Sequence, residues 1–205
     1  MRLRIGMSST CKRLLDIFAA GTALIVLSPV MLAIAVLLRL GSRGPVLSRQ
    51  EGVILRARPS TPMPTDWRRD LERFTYYRFR TDDHRSGIRS RTSRVGRILR
   101  RTRLDELLLL WSVLIGDMSM VGPLAATPSE VEAYENWHYL RLKSKPGLTG
   151  LWQVTAIRGV DFDMAARADI WYLRHRSLWL DFKILMVTPW VAVKLSIPRR
   201  GLEKA

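Results

Sequence analysis

Cysteine, histidine and acidic residues are all scarce in this chain of 205 residues. The single cysteine, Cys11, excludes an intramolecular disulfide framework and a thiolate metal cluster. The three histidines, His84, His138 and His175, lack the spacing of a metal site, and we interpret them as surface or packing residues. Only 18 acidic residues oppose 34 lysines and arginines, yet 47% of the residues are hydrophobic, which excludes a disordered chain. The composition predicts one folded unit with an anionic partner: nucleic acid, lipid headgroups or a phosphorylated substrate.

Residues 17–38 contain no ionisable side chain. At about 1.5 Å per helical residue, these 22 residues are long enough to cross the ~30 Å hydrocarbon core of a bilayer. Pro29 lies in the middle of the segment and lacks the amide donor that a helix needs, whereas the hydroxyl of Ser28 can bond a carbonyl freed at this point. We interpret Ser28 and Pro29 as the break of a re-entrant helix, which enters and leaves the membrane by the same face.

Basic residues flank the apolar segment on both sides. Because cytoplasmic flanks carry an excess of lysine and arginine, both ends are predicted to lie on the cytoplasmic side of the membrane. These residues are Arg2, Arg4, Lys12 and Arg13 before the segment and Arg39, Arg43 and Arg49 after it. Two alternatives stay open on hydropathy alone: a simple spanning anchor that tolerates a proline, and a cleaved secretory signal.

The rest of the chain predicts a mostly helical fold with a small β element. Strands are predicted over residues 46–50 and 75–81, and in the second Tyr77 and Phe79 lie on the apolar face. Three prolines make residues 55–66 a loop. Helices are predicted over residues 93–101, 102–115, 129–143, 164–175 and 178–187. Five tryptophans suit either membrane-interface anchoring or core packing: Trp111, Trp152, Trp171, Trp179 and Trp190.

Arginine is concentrated in less than a quarter of the chain. Between Arg56 and Arg103 fifteen arginines stand against five acidic residues, and 28 of the 34 basic residues overall are arginine. The planar guanidinium group binds phosphate through two parallel hydrogen bonds. The cluster therefore favours a phosphate partner, on lipid headgroups or on a substrate, over a merely solvated basic face.

Asp105 and Glu106 are the strongest candidates for catalytic residues in the local sequence. Thr102 is predicted to cap a helix, which puts Asp105 in the first helical turn, where anions are favoured. Acidic residues in a first turn also stabilise an ordinary helix, so spacing alone leaves both interpretations open. A phosphate-handling site is favoured by four arginines that lie within two turns of the pair: Arg97, Arg100, Arg101 and Arg103. In such surroundings one carboxylate can attack phosphorus while the other holds a metal or moves a proton.

A series of short motifs runs in order from about residue 12 to residue 194. They are Lys12-Arg13, Ser28-Pro29, Gly44-Pro45-Val46, Tyr77-Arg78-Phe79-Arg80-Thr81, Leu104-Asp105-Glu106-Leu107, Gly116-Asp117-Met118-Ser119, Val121-Gly122-Pro123, Pro146-Gly147-Leu148-Thr149-Gly150 and Trp179-Leu180-Asp181. In this order they resemble the bacterial sugar transferases, or monotopic phosphoglycosyl transferases. The resemblance implies a basic leader and re-entrant helix over residues 1–40. It also implies a catalytic domain with amphipathic interfacial helices over residues 41–205, on the cytoplasmic face of the bacterial inner membrane.

The same resemblance implies a reaction. A sugar phosphate would pass from a nucleotide diphosphate sugar, usually a UDP-sugar, to polyprenol phosphate and so initiate exopolysaccharide, lipopolysaccharide or glycoconjugate synthesis. Asp105 aligns with the family's nucleophile and Glu106 with its partner, and the two would also hold Mg²⁺. The candidate substrate- and phosphate-binding residues are Arg80, Arg97, Arg101 and Asp169. The chain resembles the small form of the family, without further transmembrane spans, and its implied partners are donor, acceptor and membrane lipids but not nucleic acid.

The chain also departs from the family pattern. Leu124 and Ala125 stand where Arg-Pro usually follows Val-Gly-Pro, and neither side chain can donate a hydrogen bond to phosphate. A catalytically impaired membrane adaptor of the same fold therefore stays open as a second function. A nucleic-acid binder is a third, which the lipid-length segment disfavours. The sequence does not indicate an oligomeric state or a particular sugar.

Overall fold

The computed structural model describes residues 9–41, 44–55, 67–83, 91–92, 94–155 and 161–196. This part of the chain is mostly helical with small sheets, which confirms the predicted fold class at that level. The helices are α1 (Ser9–Gly41), α2 (Arg94–Thr102), α3 (Leu109–Ile115), α4 (Pro128–Glu132), α5 (Leu151–Thr155), α6 (Phe162–His175) and α7 (Leu178–Ser196). The strands are β1 (Leu47–Leu55), β2 (Leu71–Phe79), β3 (Asp82–Asp83), β4 (Arg91–Thr92), β5 (Ser119–Val121) and β6 (Gly147–Thr149). Three 3-10 turns add Trp67–Asp70, Leu104–Glu106 and His138–Lys143.

Helix α1 contains the apolar segment and continues through Pro29. By length and composition it is able to cross a membrane. Ser28 Oγ donates a hydrogen bond of 2.8 Å to the carbonyl of Ile25. That carbonyl is the one that Pro29, which has no N–H, leaves without its usual helical partner. The serine thus supplies a partner for this carbonyl, and α1 stays helical at the position where the sequence predicts a break.

One face of α1 packs against the rest of the chain from end to end. Near the start of the helix Asp16 accepts one hydrogen bond from the hydroxyl of Ser119. Ala20 lies in the main core, and Leu38 near the end packs in a second core. The opposite face is exposed and apolar, with Phe18, Ile25, Val26, Leu32 and Leu40 on the surface. A helix with this division needs an apolar surrounding on its outer side.

Strands β1 and β2 form an antiparallel hairpin in which Leu47 faces Phe79 and Leu55 faces Leu71. Both predicted strands are confirmed and both are longer than predicted. The predicted apolar face of β2 is wrong, because Tyr77 is 42% exposed while Tyr76 is buried. Side chains from both faces of β2 are buried, because the strand contributes to two separate cores. Tyr76 packs in the main core, and Phe79 packs with Leu38 in another. The prolines of the predicted 55–66 loop lie outside the described residues.

The predicted helix over residues 102–115 is wrong at its start. Thr102 closes α2 rather than capping a new helix, since its hydroxyl donates to the carbonyl of Ile98. Arg103 follows with a left-handed backbone (φ 57°, ψ 19°), and the chain then forms the 3-10 turn Leu104–Glu106. Helix α3 begins only at Leu109. The predicted helix 93–101 is confirmed as α2.

The predicted helix over residues 129–143 is also wrong in its cap and its length. Thr127, not Ser129, caps α4, in a reciprocal capping box with Glu130. Helix α4 ends at Glu132, and the 3-10 turn His138–Lys143 replaces its predicted second half. The two last predicted helices are confirmed as α6 and α7, the latter extending to residue 196.

Strands β5 and β6 pair in parallel and bring two glycine-containing loops side by side. The N–H of Gly122 donates to the carbonyl of Thr149 (2.9 Å), and the N–H of Gly147 donates to the carbonyl of Pro123 (2.8 Å). A Cβ atom on Gly147 would collide with the backbone of Gly122, so the pairing requires glycine there. The residues after Gly122 are thereby fixed beside β6.

Candidate active site

The acidic pair Asp105 and Glu106 lies on the 3-10 turn between α2 and α3. The left-handed residue Arg103 makes this turn possible, because it stops α2 and redirects the chain. Asp105 is buried, whereas Glu106 is partly exposed and lines a pocket. Successive residues on a tight turn point in different directions, so the two carboxylates have different surroundings.

Glu106 is held between two arginines from different parts of the chain. Its Oε1 lies 3.4 Å from Arg78 Nη2, and its Oε2 lies 3.2 Å from Arg103 Nη1. Arg78 comes from the end of β2, and Arg103 precedes the turn itself. Each carboxylate oxygen thus faces one guanidinium group, which fixes the carboxylate and keeps positive charge beside the acidic pair.

The carboxyl group of Asp105 has a higher pKa than an ordinary aspartate, although arginines lie nearby. Burial first, and the neighbouring carboxylate of Glu106 second, together raise the pKa of Asp105 to about 6. Arg78, a backbone hydrogen bond and Arg103 act in the opposite direction. A carboxylate that is poorly solvated when ionised is a better nucleophile than one fully surrounded by water.

The pocket beside Glu106 has a charged side and an apolar side. Arg78, Arg103 and Glu106 form the charged side. The guanidinium carbon of Arg103 lies 5.3 Å from the ring centroid of Trp152, within range of a cation–π contact. The remaining lining residues are Tyr76, Leu109, Met118, Leu124, Ala125, Gly147 and Leu148. The pocket therefore offers two guanidinium groups to an anion and apolar surface to the rest of a ligand.

A buried ion pair holds the pocket wall at Leu124. Asp169 Oδ2 accepts a hydrogen bond of 3.1 Å from the N–H of Leu124 and lies 2.8 Å from Arg141 Nη2. The same Arg141 nitrogen donates to the carbonyl of Leu124 at 3.2 Å. Burial raises the pKa of Asp169 to about 6, against the opposing effects of Arg141 and of the Leu124 N–H. Asp169 thus binds the backbone of Leu124, which lines the pocket.

Residues 7–195 of the chain match the family model described as bacterial sugar transferase. The chain belongs to this family. Among its relatives is an undecaprenyl-phosphate galactose phosphotransferase of Salmonella typhimurium, 44% identical over 51% of this chain and 22% of the relative. A UDP-glucose:undecaprenyl-phosphate glucose-1-phosphate transferase of Klebsiella pneumoniae is 34% identical over 89% of this chain and 40% of the relative. The chain thus spans less than half the length of these two relatives.

A third relative has a similar length. It is the exopolysaccharide production protein PSS of Rhizobium leguminosarum bv. phaseoli, 35% identical over 89% of this chain and 94% of the relative. The names of the first two relatives describe transfer of a sugar phosphate to undecaprenyl phosphate, and the name of the third describes exopolysaccharide production.

The predicted phosphate-binding arginines of this sugar transferase lie apart from the pocket lining. Arg80 is buried, with its backbone N–H bonded to Val46, and its guanidinium group packs against Gly44. Arg97 and Arg101 lie on the exposed surface of α2. Their roles stay predictions that these contacts neither support nor exclude. Asp169, the fourth predicted residue, is fully buried and reaches the pocket only through Leu124.

Two arginines that contact Glu106 were absent from the predicted site. Arg78 lies two residues before Arg80 in the Tyr-Arg-Phe-Arg run, so the period of two puts both on the same polar face. Nothing local indicates which of the two turns towards the acidic pair. Arg103 belongs to the arginine group beside the pair, but its left-handed backbone, which directs it to the pocket, has no signal in the sequence.

Proposed function

We propose that this sugar transferase moves a sugar 1-phosphate from a UDP-sugar to a polyprenol phosphate, through a covalent intermediate on Asp105. The observation that carries the proposal is the buried carboxyl group of Asp105 beside Glu106, with Arg78 and Arg103 flanking that partner. The names of the relatives supply the substrate classes, a UDP-sugar and undecaprenyl phosphate. The product would be the lipid-linked sugar that begins a polysaccharide such as an exopolysaccharide.

In the first step a carboxylate oxygen of Asp105 attacks the phosphorus that bears the sugar. The bond between this phosphorus and the bridging oxygen of the diphosphate breaks, and the electron pair leaves with uridine monophosphate. Arg78 and Arg103 stabilise the negative charge that spreads over the phosphate oxygens. In the second step a phosphate oxygen of the polyprenol phosphate attacks the same phosphorus and releases the Asp105 carboxylate.

The carboxylates of Asp105 and Glu106 suit Mg²⁺, which typically binds one or two carboxylates together with substrate phosphates and water. No cluster of three or more histidine, cysteine or acidic residues within the described chain is able to hold a metal by itself. The donor's diphosphate would therefore complete the coordination. A bound Mg²⁺ supplies positive charge that reduces repulsion between an anionic nucleophile and an anionic donor.

The reaction joins a water-soluble donor to a lipid acceptor, so we propose that the domain lies on the cytoplasmic face of the membrane. Helix α7 supports this placement with a stripe of apolar side chains that are each more than half exposed. The stripe consists of Trp179, Phe182, Met186, Trp190 and Val193. Its spacing follows one face of a helix, and Lys183 and Lys194 lie over the rings of Trp179 and Trp190.

We further propose that α1 is re-entrant and does not span the membrane. The contacts at both of its ends support this: Lys12 pairs with Asp181, and Leu38 packs with Phe79 and Leu99. A spanning helix would carry its two ends to opposite faces of a ~30 Å core, where one domain on one side is unable to contact both.

Cys11, which is the chain's single cysteine and is exposed, tests this topology. A membrane-impermeant maleimide is expected to label Cys11 only after the cells are opened. Labelling in cells with an intact inner membrane would overturn the re-entrant arrangement. A Cys11→Ser, Tyr77→Cys variant marks the side on which the domain lies, since Tyr77 is exposed on β2.

The reaction is tested with purified protein, a panel of UDP-sugars, undecaprenyl phosphate and Mg²⁺. Wild-type protein should release uridine monophosphate, and Asp105→Asn should abolish release and transfer together. With donor alone, mass spectrometry of peptides should find the sugar phosphate on Asp105. Asp70→Asn, at an exposed acid on the surface, is the matched control. Full transfer by Asp105→Asn would exclude the covalent mechanism.

One observation favours the alternative of a non-catalytic membrane adaptor. Leu124 and Ala125 line the pocket at positions where the family pattern carries Arg-Pro, and neither offers a donor to phosphate. The same assay discriminates the two functions, because an adaptor would associate with membranes but turn over no UDP-sugar of the panel.

A further inference from the structure

We propose that Arg103 supplies to the donor's diphosphate the guanidinium group that Leu124 and Ala125 lack. This inference rests on the proposed function and assigns a binding role to a residue that the family pattern does not specify. Arg103, Leu124 and Ala125 line one pocket together with Glu106. The wall at Leu124 and Ala125 lacks the arginine of the family pattern, and Arg103 places an arginine elsewhere in the lining of the same pocket.

The backbone of Arg103 is held in an unfavourable conformation. Among the described residues, Arg103 is the one non-glycine residue with a positive φ, at 57°. A left-handed conformation is disfavoured for a residue with a Cβ atom, and it persists only where surrounding contacts impose it. Those contacts are on the pocket side: Arg103 Nη1 bonds Glu106 at 3.2 Å, and the guanidinium group lies over Trp152.

The side chain of Arg103 retains the capacity to bind a ligand. Its bond to Glu106 runs through Nη1, and 29% of the side chain is exposed to solvent. A guanidinium group carries five N–H donors in one plane. Contacts with Trp152 and Glu106 restrict the side chain, so less conformational freedom is lost when a phosphate binds.

The backbone N–H of Leu124 is not available as a donor to a ligand. The N–H of Leu124 is already bonded to Asp169, and its carbonyl accepts from Arg141. Both partners are buried, so the N–H and the carbonyl of Leu124 are both directed away from a ligand. The wall at residues 124 and 125 therefore contributes apolar surface, and positive charge for the diphosphate comes from Arg103 and Arg78.

The test measures equilibrium binding of UDP and of uridine to the full-length protein in lipid nanodiscs. Arg103→Ala and Arg103→Gly should each weaken UDP binding about tenfold or more and leave uridine binding unchanged, because only UDP carries the phosphates. Arg103→Gly should melt at a higher temperature than Arg103→Ala, because glycine adopts the left-handed backbone without strain. If Arg103→Ala and Arg103→Gly lose the same UDP affinity but differ in melting temperature, the loss of affinity comes from the missing guanidinium group and not from a less stable fold.

A second arm moves the arginine to the other wall. Leu124→Arg in the Arg103→Ala background should restore UDP affinity to within about threefold of wild type. Arg174→Ala, at an exposed arginine of α6, is the matched control. Wild-type UDP affinity in Arg103→Ala would overturn the inference, as would an equal loss of uridine binding or a failure of Leu124→Arg to rescue. If wild-type protein transfers no sugar phosphate from any UDP-sugar, the proposed function fails instead.

Discussion

Asp169 and Arg141 form an ion pair of 2.8 Å whose side chains are 0% and 1% exposed. The pair does more than neutralise two buried charges, because both members bond the peptide of Leu124. Arg141 also donates to the hydroxyl of Tyr134 and lies over the ring of Phe162. The pair therefore connects α6 and the 3-10 turn His138–Lys143 with the wall of the pocket, and it should determine both stability and pocket shape.

Replacing Asp169 with alanine should strongly destabilise the fold. The change leaves the guanidinium of Arg141 buried without its carboxylate, and breaking a buried pair in this way costs about 3–5 kcal/mol. The double variant Arg141→Met, Asp169→Leu should recover part of that loss, because no buried charge is left unpaired. Denaturant unfolding in detergent micelles measures both. A loss below about 1 kcal/mol in Asp169→Ala, similar to the exposed control Asp70→Ala, would contradict the assigned role.

Asp169 should also make stability depend on pH. Burial raises its folded-state pKa to about 6 from 3.8, so between these values the folded protein holds a proton that the unfolded chain has released. The contribution of Asp169 to the free energy of unfolding is thus fully present below about pH 4 and falls as the pH rises through 6. Two pKa units correspond to about 3 kcal/mol. The difference in stability between wild type and Asp169→Asn should shrink over this range, whereas parallel pH profiles would contradict the assignment.

Local sequence patterns predict much of the fold but little of the site's environment. The alternation along β2 and the helix-like segments over residues 164–175 and 178–187 are strong enough to locate β2, α6 and α7. The pattern Ser/Thr-x-x-Glu fits both Thr127 and Ser129, and the structure uses Thr127, which has Pro128 after it in the first helical position. The proline at the first helical position is itself a local signal, and it favours Thr127 over Ser129.

The contacts around Glu106 depend on packing between distant segments. Arg78 and Arg103 meet at one carboxylate only because the end of β2 lies against the 3-10 turn of the acidic pair. The left-handed backbone of Arg103 contradicts ordinary residue preferences, so cap rules place the helix start at Thr102 instead. The surrounding arginines and the family motif both indicate Asp105 and Glu106 in the sequence, whereas the geometry of their partners required the structure.

Lys12 is predicted to fix α1 to the domain without anchoring the chain in the membrane. Its ammonium group pairs with Asp181 at 2.5 Å and also bonds the carbonyl of Val121, while Tyr172 donates to the same carboxylate. Lys12→Met removes the partner of a largely buried carboxylate and should lower the unfolding free energy by about 2–4 kcal/mol. Membrane association should persist, since the apolar surface of α1 is unchanged.

Membrane flotation and thermal melting together measure the two effects. Arg39→Met is the matched control, because Arg39 is an exposed basic residue at the other end of α1. It should leave the melting temperature close to that of wild type. Release of Lys12→Met from membranes without a fall in melting temperature would contradict the prediction.

The exposed stripe of α7 is predicted to lie in the lipid interface. In a Cys11→Ser background, a solvent-sensitive fluorophore on Phe182→Cys should gain intensity and shift to the blue when vesicles are added, because its surroundings change from water to acyl chains. The same fluorophore on Tyr77→Cys, another exposed aromatic position on β2, should not respond. Trp179→Glu should reduce the response at residue 182, since the loss of one tryptophan side chain from the lipid interface weakens interfacial binding by about 2 kcal/mol. An unchanged spectrum at residue 182 would mean that this stripe faces water or another protein, and the proposed orientation of the active site towards the acceptor lipid would then be wrong.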